Sequence, residues 1–153
     1  MQIGTYGELD FISYFSNRYE IEDVRLNEEY WARDIDFILT SKETGAARTV
    51  EVKTDNRIFQ TGNLFIETEN PRSVNGLGWF NFCEADIICY YDFVQKIFHF
   101  FTMEELRKYV EEEKDSILKR CTWDMSVGMV IPLSEVEKFE SYKRVYVYGR
   151  EVA

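Results

Sequence analysis

The sequence predicts a mixed α/β fold, with helices packed against a central mixed β-sheet. Three observations carry that expectation. Short runs of alternating apolar and polar residues recur between turn residues, the mark of half-buried strands. Apolar residues also recur at three- and four-residue spacing near the N-terminus, and a helix-start signal follows at Thr102. Finally, 45% of the 153 residues are hydrophobic and 16% aromatic, with only two Pro and eight Gly. That composition excludes a disordered or collagen-like chain and supports one core over residues 1–153.

The elements follow in chain order. From Tyr6 to Tyr19 the residues Phe11, Ile12, Phe15 and Tyr19 share one helical face. One turn back, that stripe meets Glu8, an acid that the start of a helix would favour in any case. Next, Ile35, Phe37 and Leu39 alternate with Asp34, Asp36 and Ile38, so 34–39 reads as a strand. Residues 41–46 form a turn with Gly45 as its positive-φ position. In the second strand, 48–54, Val50 and Val52 face one way and Thr49, Glu51 and Lys53 the other. Two strands around a short turn make an antiparallel hairpin. A third strand spans 62–68, then a loop punctuated by Pro71, Gly76 and Gly78 leads to a short helix over 80–84. Residues 86–91 and 96–101 read as a second hairpin. Thr102 with Glu105 makes a capping box that opens a helix to about Cys121, with Glu111, Glu112 and Glu113 on its solvated face. A strand near 129–131, a short helix capped by Ser134 and a strand over 144–148 complete the chain.

Composition also bounds function. No run of about 18 apolar residues is available to cross a membrane. The start MQIGTYGELD lacks a basic patch followed by an apolar stretch, so a cytoplasmic protein without membrane attachment is expected. Net charge is −10, which argues against coating a phosphate backbone by bulk charge. It leaves room for an enzyme whose carboxylates hold cations, because the bound ion inverts the local sign. Cys83, Cys89 and Cys121 form no CxxC, so a structural zinc site lacks its ligands, and with His99 the lone histidine, set in an aromatic-rich strand, Ser-His-Asp or Cys-His catalysis is not expected. Reduced packing cysteines and a structural His99 are expected.

One constellation carries chemistry. In the first hairpin Asp36 falls roughly opposite Glu51 and Lys53, all on the polar face. Two carboxylates and an ammonium on adjacent strands suit Mg²⁺ or Mn²⁺. Lys53 would orient a water or neutralise developing charge. Asp34 shares the face as an alternative ligand, and Glu8 would approach from the first helix. Glu-Val-Lys in a strand can equally be a cross-strand ion pair that stabilises the sheet.

An acid on a first helix, then Asp, then a short hairpin to Glu-x-Lys resembles the PD-(D/E)XK nuclease superfamily. Here the pattern stands as Glu8, Asp36 and Glu51-Val-Lys53, with Ile35 where the family often has proline. The run through Thr54-Asp55, then Thr61-Gly-Asn63 and Glu67, is similar to small, often phage-associated members. The stretch from Gly78 to Tyr91, with Ala85-Asp86, fits more loosely. The resemblance covers about residues 4–110 and leaves 102–153 as an extension. It implies a restriction-endonuclease-like core, a four-stranded mixed sheet flanked by helices. It also implies a Mg²⁺- or Mn²⁺-dependent deoxyribonuclease that hydrolyses phosphodiester bonds. By the same carry-over, Asp36 and Glu51 are metal ligands, Lys53 orients the water, and Glu8 is a supporting acid. Asp34 competes with Asp36; Asp36 is preferred because it directly precedes the apolar run Phe-Ile-Leu. Glu67 is a weaker site candidate. Arg57, Gln60 and Arg72, with Arg48, are candidates for contacting DNA, and a homodimer would join two such patches. The alternative is a catalytically silent module of the same fold acting through protein contacts, which the many Tyr and Phe would suit. A metal-dependent enzyme on another substrate would use the same residues.

Overall fold

The computed structural model describes residues 3–147. Its helices are α1 (Ile3–Phe15), α2 (Glu28–Ala32), α3 (Ile58–Thr61), α4 (Met103–Glu113) and α5 (Leu133–Val136). The strands are β1 (Tyr19–Asp23), β2 (Phe37–Ser41), β3 (Ala47–Asp55), β4 (Asn63–Glu69), β5 (Ile87–Asp92), β6 (Ile97–Thr102), β7 (Leu118–Cys121), β8 (Val127–Pro132) and β9 (Lys143–Tyr146).

Among the described residues the strands form two sheets. The larger has six strands in the order β1-β2-β3-β5-β6-β9, and the smaller has three in the order β4-β8-β7. In the larger sheet β3 and β5 run parallel, Lys53 beside Tyr90 and Asp55 beside Asp92. Its other pairings are antiparallel, so the sheet is mixed as expected. The single central sheet of the sequence reading is corrected: the predicted third strand, β4, belongs to a separate sheet with β8 and β7. Among the described residues beyond 102, β9 closes one edge of the large sheet, and β7 and β8 build most of the small one.

Two apolar clusters lie on the two faces of the large sheet. On one face Phe11 and Phe15 of α1 meet Phe37, Leu39, Val50, Val52, Cys89, Tyr91 and Phe98. On the other, Ile88, Tyr90 and Phe101 meet Leu64, Ile66, Met129 and Ile131 of the small sheet, with Leu106 of α4. Each fully buried aliphatic or phenyl side chain contributes roughly 1.5–3 kcal/mol. The alternation read in 48–54 is therefore real: Val50 and Val52 sit under α1, and Glu51 projects to the opposite side.

Several boundaries move. The first helix stops at Phe15, because Tyr19-Glu-Ile-Glu alternates as a strand and pairs with β2. The exposed acids of β1 also charge an edge that would otherwise invite strand addition. Residues 34–36 precede β2 instead of lying in it. Asp34 adopts φ +54°, a left-handed conformation that Asp tolerates, as the chain leaves α2. That turn sends Ile35 into the cluster opposite Phe37 and Leu39. In place of a helix over 80–84 there is a 3-10 turn at Trp79–Asn81. The helix after Thr102 ends at Glu113, where three successive glutamates oppose the negative end of the helix dipole. Residues 118–121 are instead strand β7. Thr102 caps α4 as expected, its hydroxyl accepting from the Glu105 N–H at 3.2 Å. The Glu105 carboxylate does not reach back; it accepts from the Glu140 and Ser141 N–H groups at 3.0 and 2.6 Å. Pro132, not Ser134, precedes the first turn of α5. Tyr148, the last residue of the predicted terminal strand, lies outside the described residues.

The three cysteines are free, Cys83 and Cys89 buried and Cys121 exposed. Burial pushes the Cys83 thiol up to about 12. His99 is buried and its Nδ1 lies 2.7 Å from the Tyr142 hydroxyl, a structural setting. No helix among the described residues is long and apolar enough to cross a membrane.

Candidate functional site

The turn at Asp34 fixes how Asp36 meets β3. The Asp36 N–H donates to the Val50 carbonyl at 3.0 Å, and the Val52 N–H donates to Asp36 Oδ2 at 2.9 Å. A side-chain carboxylate thus continues the ladder where backbone pairing stops. It is held beside Glu51.

Lys53 organises the rest. Its ammonium donates to Glu51 Oε1 at 2.8 Å and to Asp34 Oδ2 at 2.9 Å. The same nitrogen stands 4.9 Å from the centre of the Trp79 ring. Burial pulls the Lys53 pKa down, but Glu51 and Asp34 together push it well above the ordinary lysine range. Lys53 is therefore a hydrogen-bond donor and a fixed charge, not a base. Glu51 is pushed well above the ordinary carboxyl range by burial first; Asp34 and Asp36 add to the shift and Lys53 opposes it. Burial likewise raises Asp36 to about 6, with the Val52 N–H opposing and the Glu8 charge adding.

Glu8 is brought to the margin of this group. Its carboxylate accepts from Arg25 Nη1 at 2.7 Å, and Arg25 also grips Asp23 at 2.9 and 2.7 Å. The guanidinium lies 5.3 Å over Phe37. The carboxylates are thus divided between two cations, Lys53 and Arg25. Among the described residues no three His, Cys, Asp or Glu side chains converge as a ready metal cage.

Two features nonetheless fit a divalent cation. Glu51 Oε2 is buried and receives no N–H or O–H donor, and the Asp36 carboxyl lies within hydrogen-bonding reach of the Glu51 side chain. Asp36 stands beside it with its affinity for protons raised. Hard oxygens in excess of nearby positive charge are the donor set that Mg²⁺ or Mn²⁺ takes. Asp36 and Glu51 would hold such an ion, while Asp34 and Glu8 are engaged by Lys53 and Arg25.

The remaining candidates separate. Glu67, on β4, accepts from Asn70 Nδ2 at 3.3 Å and adds its charge to the surroundings of Tyr90, as do Asp55 and Asp34. The Tyr90 hydroxyl donates to the Phe65 carbonyl at 2.8 Å. Burial is the first cause that raises the Tyr90 pKa, so the phenol stays protonated. Arg57 opens α3 and faces a cleft; Gln60 is exposed on the same short helix. Arg72 pairs with Asp124 at 2.7 Å, at the turn between β7 and β8. Arg48 is exposed near the opposite end of β3 from Lys53, paired with Leu39. Asp86 is exposed and accepts from the Thr49 N–H at 2.9 Å, tying β5 to β3.

Sequence reasoning missed Arg25, Trp79 and Tyr90. Arg25 follows the alternating strand Tyr19–Asp23, whose recognition would have placed it near β2. Trp79 and Tyr90 come from distant segments and carry no local signal.

The cleft, of about 540 Å³, begins at Thr54 and Asp55, which continue β3 beyond Lys53. Arg57, Asn63, Phe65, Arg120, Thr122 and Trp123 are among the residues that line it. Searches of known family models, characterised proteins and solved structures yield no match to this chain.

Proposed function

We propose that this chain is a divalent-metal-dependent nuclease that hydrolyses phosphodiester bonds in DNA. The observation that carries it is the pair of adjacent carboxyls, Asp36 and the buried Glu51 with no N–H or O–H donor on Oε2, two residues from the protonated Lys53. A bound Mg²⁺ or Mn²⁺ would lower the pKa of a coordinated water and offset charge on the phosphate. Asp36 and Glu51 would hold the ion. Lys53 offers N–H donors and a positive charge to the attacking water or a non-bridging oxygen, in a setting too dry to screen them. Asp34, bonded to Lys53, keeps that ammonium in place. The resemblance of Glu8, Asp36 and Glu51-Val-Lys53 to the PD-(D/E)XK pattern supports the same roles.

A second reading has its own observation. Asp34, Glu51 and Glu8 are already ion-paired with Lys53 or Arg25, as they would be in a metal-free module that acts through protein contacts.

Calorimetry with Mn²⁺ at low salt separates the two. We expect saturable binding below millimolar in the wild type, lost in Asp36→Ala/Glu51→Ala. Metal-dependent cleavage of plasmid, linear or branched DNA should fall at least a hundredfold in Lys53→Ala. Absence of binding tighter than millimolar would favour the silent module.

A further inference from the structure

We infer that the cleft beside β3 binds an unpaired polynucleotide strand, with Trp123 as a stacking platform and Arg57 and Arg120 as phosphate contacts. The inference deepens the nuclease reading, because the cleft starts at Thr54 and Asp55, directly beyond Glu51 and Lys53 on one strand.

Trp123 sits in the turn between β7 and β8 and is 95% exposed. Nothing in the core needs it, yet its turn is well anchored. Thr122 N–H donates to the Ser126 carbonyl at 2.8 Å, and Asp124 is gripped by Arg72 and by the Thr122 hydroxyl. An exposed aromatic side chain on an anchored turn at the rim of a polar cleft suits a base, since every base offers a π-face.

Arg120 is pre-positioned in a similar way. Its guanidinium lies 5.1 Å over the Phe65 ring. A Cβ at position 128 would stand 2.5 Å from that ring, so Gly128 is what lets Phe65 lie across β8. The contact with Phe65 leaves the Arg120 N–H donors available to an anion. Among the described residues neither Arg57 nor Arg120 has a carboxylate partner, in a chain with 28 acids against 18 bases. The cleft's own carboxylates are engaged elsewhere: Asp55 accepts from the Arg57 and Ile58 N–H groups, and Asp124 is held as described. A cleft of about 540 Å³ takes a small-molecule-sized occupant, such as a nucleotide or two, not the breadth of a duplex.

The test is fluorescence anisotropy with labelled oligo-dT, oligo-rU and a duplex of equal length, in chelator, so that binding is read without turnover. We expect a single strand to bind at least tenfold more tightly than the duplex, the dT and rU arms telling DNA from RNA. Trp123→Ala should weaken it about tenfold and Trp123→Phe restore most of it. Arg57→Gln and Arg120→Gln should each lower the salt slope by about 0.7. Equal or tighter duplex binding, no single-strand binding, or an unchanged Trp123→Ala would overturn the inference. Trp123-dependent binding without cleavage in Mn²⁺ would retain the cleft and sink the nuclease reading. Cleavage with unchanged binding by Trp123→Ala would do the reverse.

Discussion

Glu51 and Lys53 share one face of β3, and Asp36 joins them through the Val52 N–H, which donates to its carboxylate. The partners that set their charge come from elsewhere. Asp34 reaches Lys53 through a left-handed turn that alternation does not describe, and Trp79 arrives from the far end of a loop. His99 gives a test at this scale. Burial, reinforced by Arg144, lowers its pKa from 6.5 to about 4. The folded state binds this proton more weakly than the unfolded chain. Its contribution to stability is therefore complete above about pH 6.5 and is lost as pH falls towards 4, by up to about 3 kcal/mol. Melting curves from pH 7 to 4 should fall more steeply for the wild type than for His99→Gln. Parallel curves would count against a neutral, buried imidazole.

Element identity was legible wherever a periodic run was long enough, as in α1, β3 and the β5–β6 hairpin. Ends were less so, because they depend on what an element meets. The helix after Thr102 has sequence enough to continue, but its glutamates oppose the dipole and Leu118–Cys121 finds a partner in β8. The loop before Trp79 illustrates a constraint that composition marks only as a turn. Gly78 donates to the Thr68 carbonyl at 2.9 Å, and a Cβ there would stand 2.5 Å from the Glu67 carbonyl carbon and oxygen. Backbone cannot yield as a flexible side chain does, so Gly78→Ala should cost about 1–3 kcal/mol. Gly4, in α1 with nothing within 4 Å of an added Cβ, provides the contrast. Gly4→Ala should be neutral or stabilising by up to about 1 kcal/mol. Urea midpoints of the two variants measure both, and equal midpoints would remove the close approach at Gly78 as a constraint.

Across the whole molecule, the second sheet is the feature that sequence reasoning had no means to find. Strand β4 lies just after the Glu-x-Lys hairpin, yet it pairs with β8 from the last quarter of the chain. No local pattern encodes such a partner, and a short apolar run reads the same in either sheet. The consequence is energetic as well as topological. Leu64, Ile66, Met129 and Ile131 of the small sheet share one cluster with Ile88, Tyr90 and Phe101 of the large one. Neither sheet buries its inner face without the other, so the two should melt together. Ile131 is fully buried, and its truncation leaves a cavity between the sheets. Ile131→Ala should lower stability by about 2–5 kcal/mol while preserving a single transition. Trp79 lies in that shared cluster, whereas Trp31 and Trp123 are exposed, so fluorescence reports on the junction and far-UV circular dichroism on both sheets. Coincident midpoints by the two probes, shifted equally in the variant, are expected. A fluorescence change that precedes the loss of circular dichroism would mean that the small sheet detaches first. The cleft between Arg57 and Arg120 would then open without unfolding the strand that carries Glu51 and Lys53.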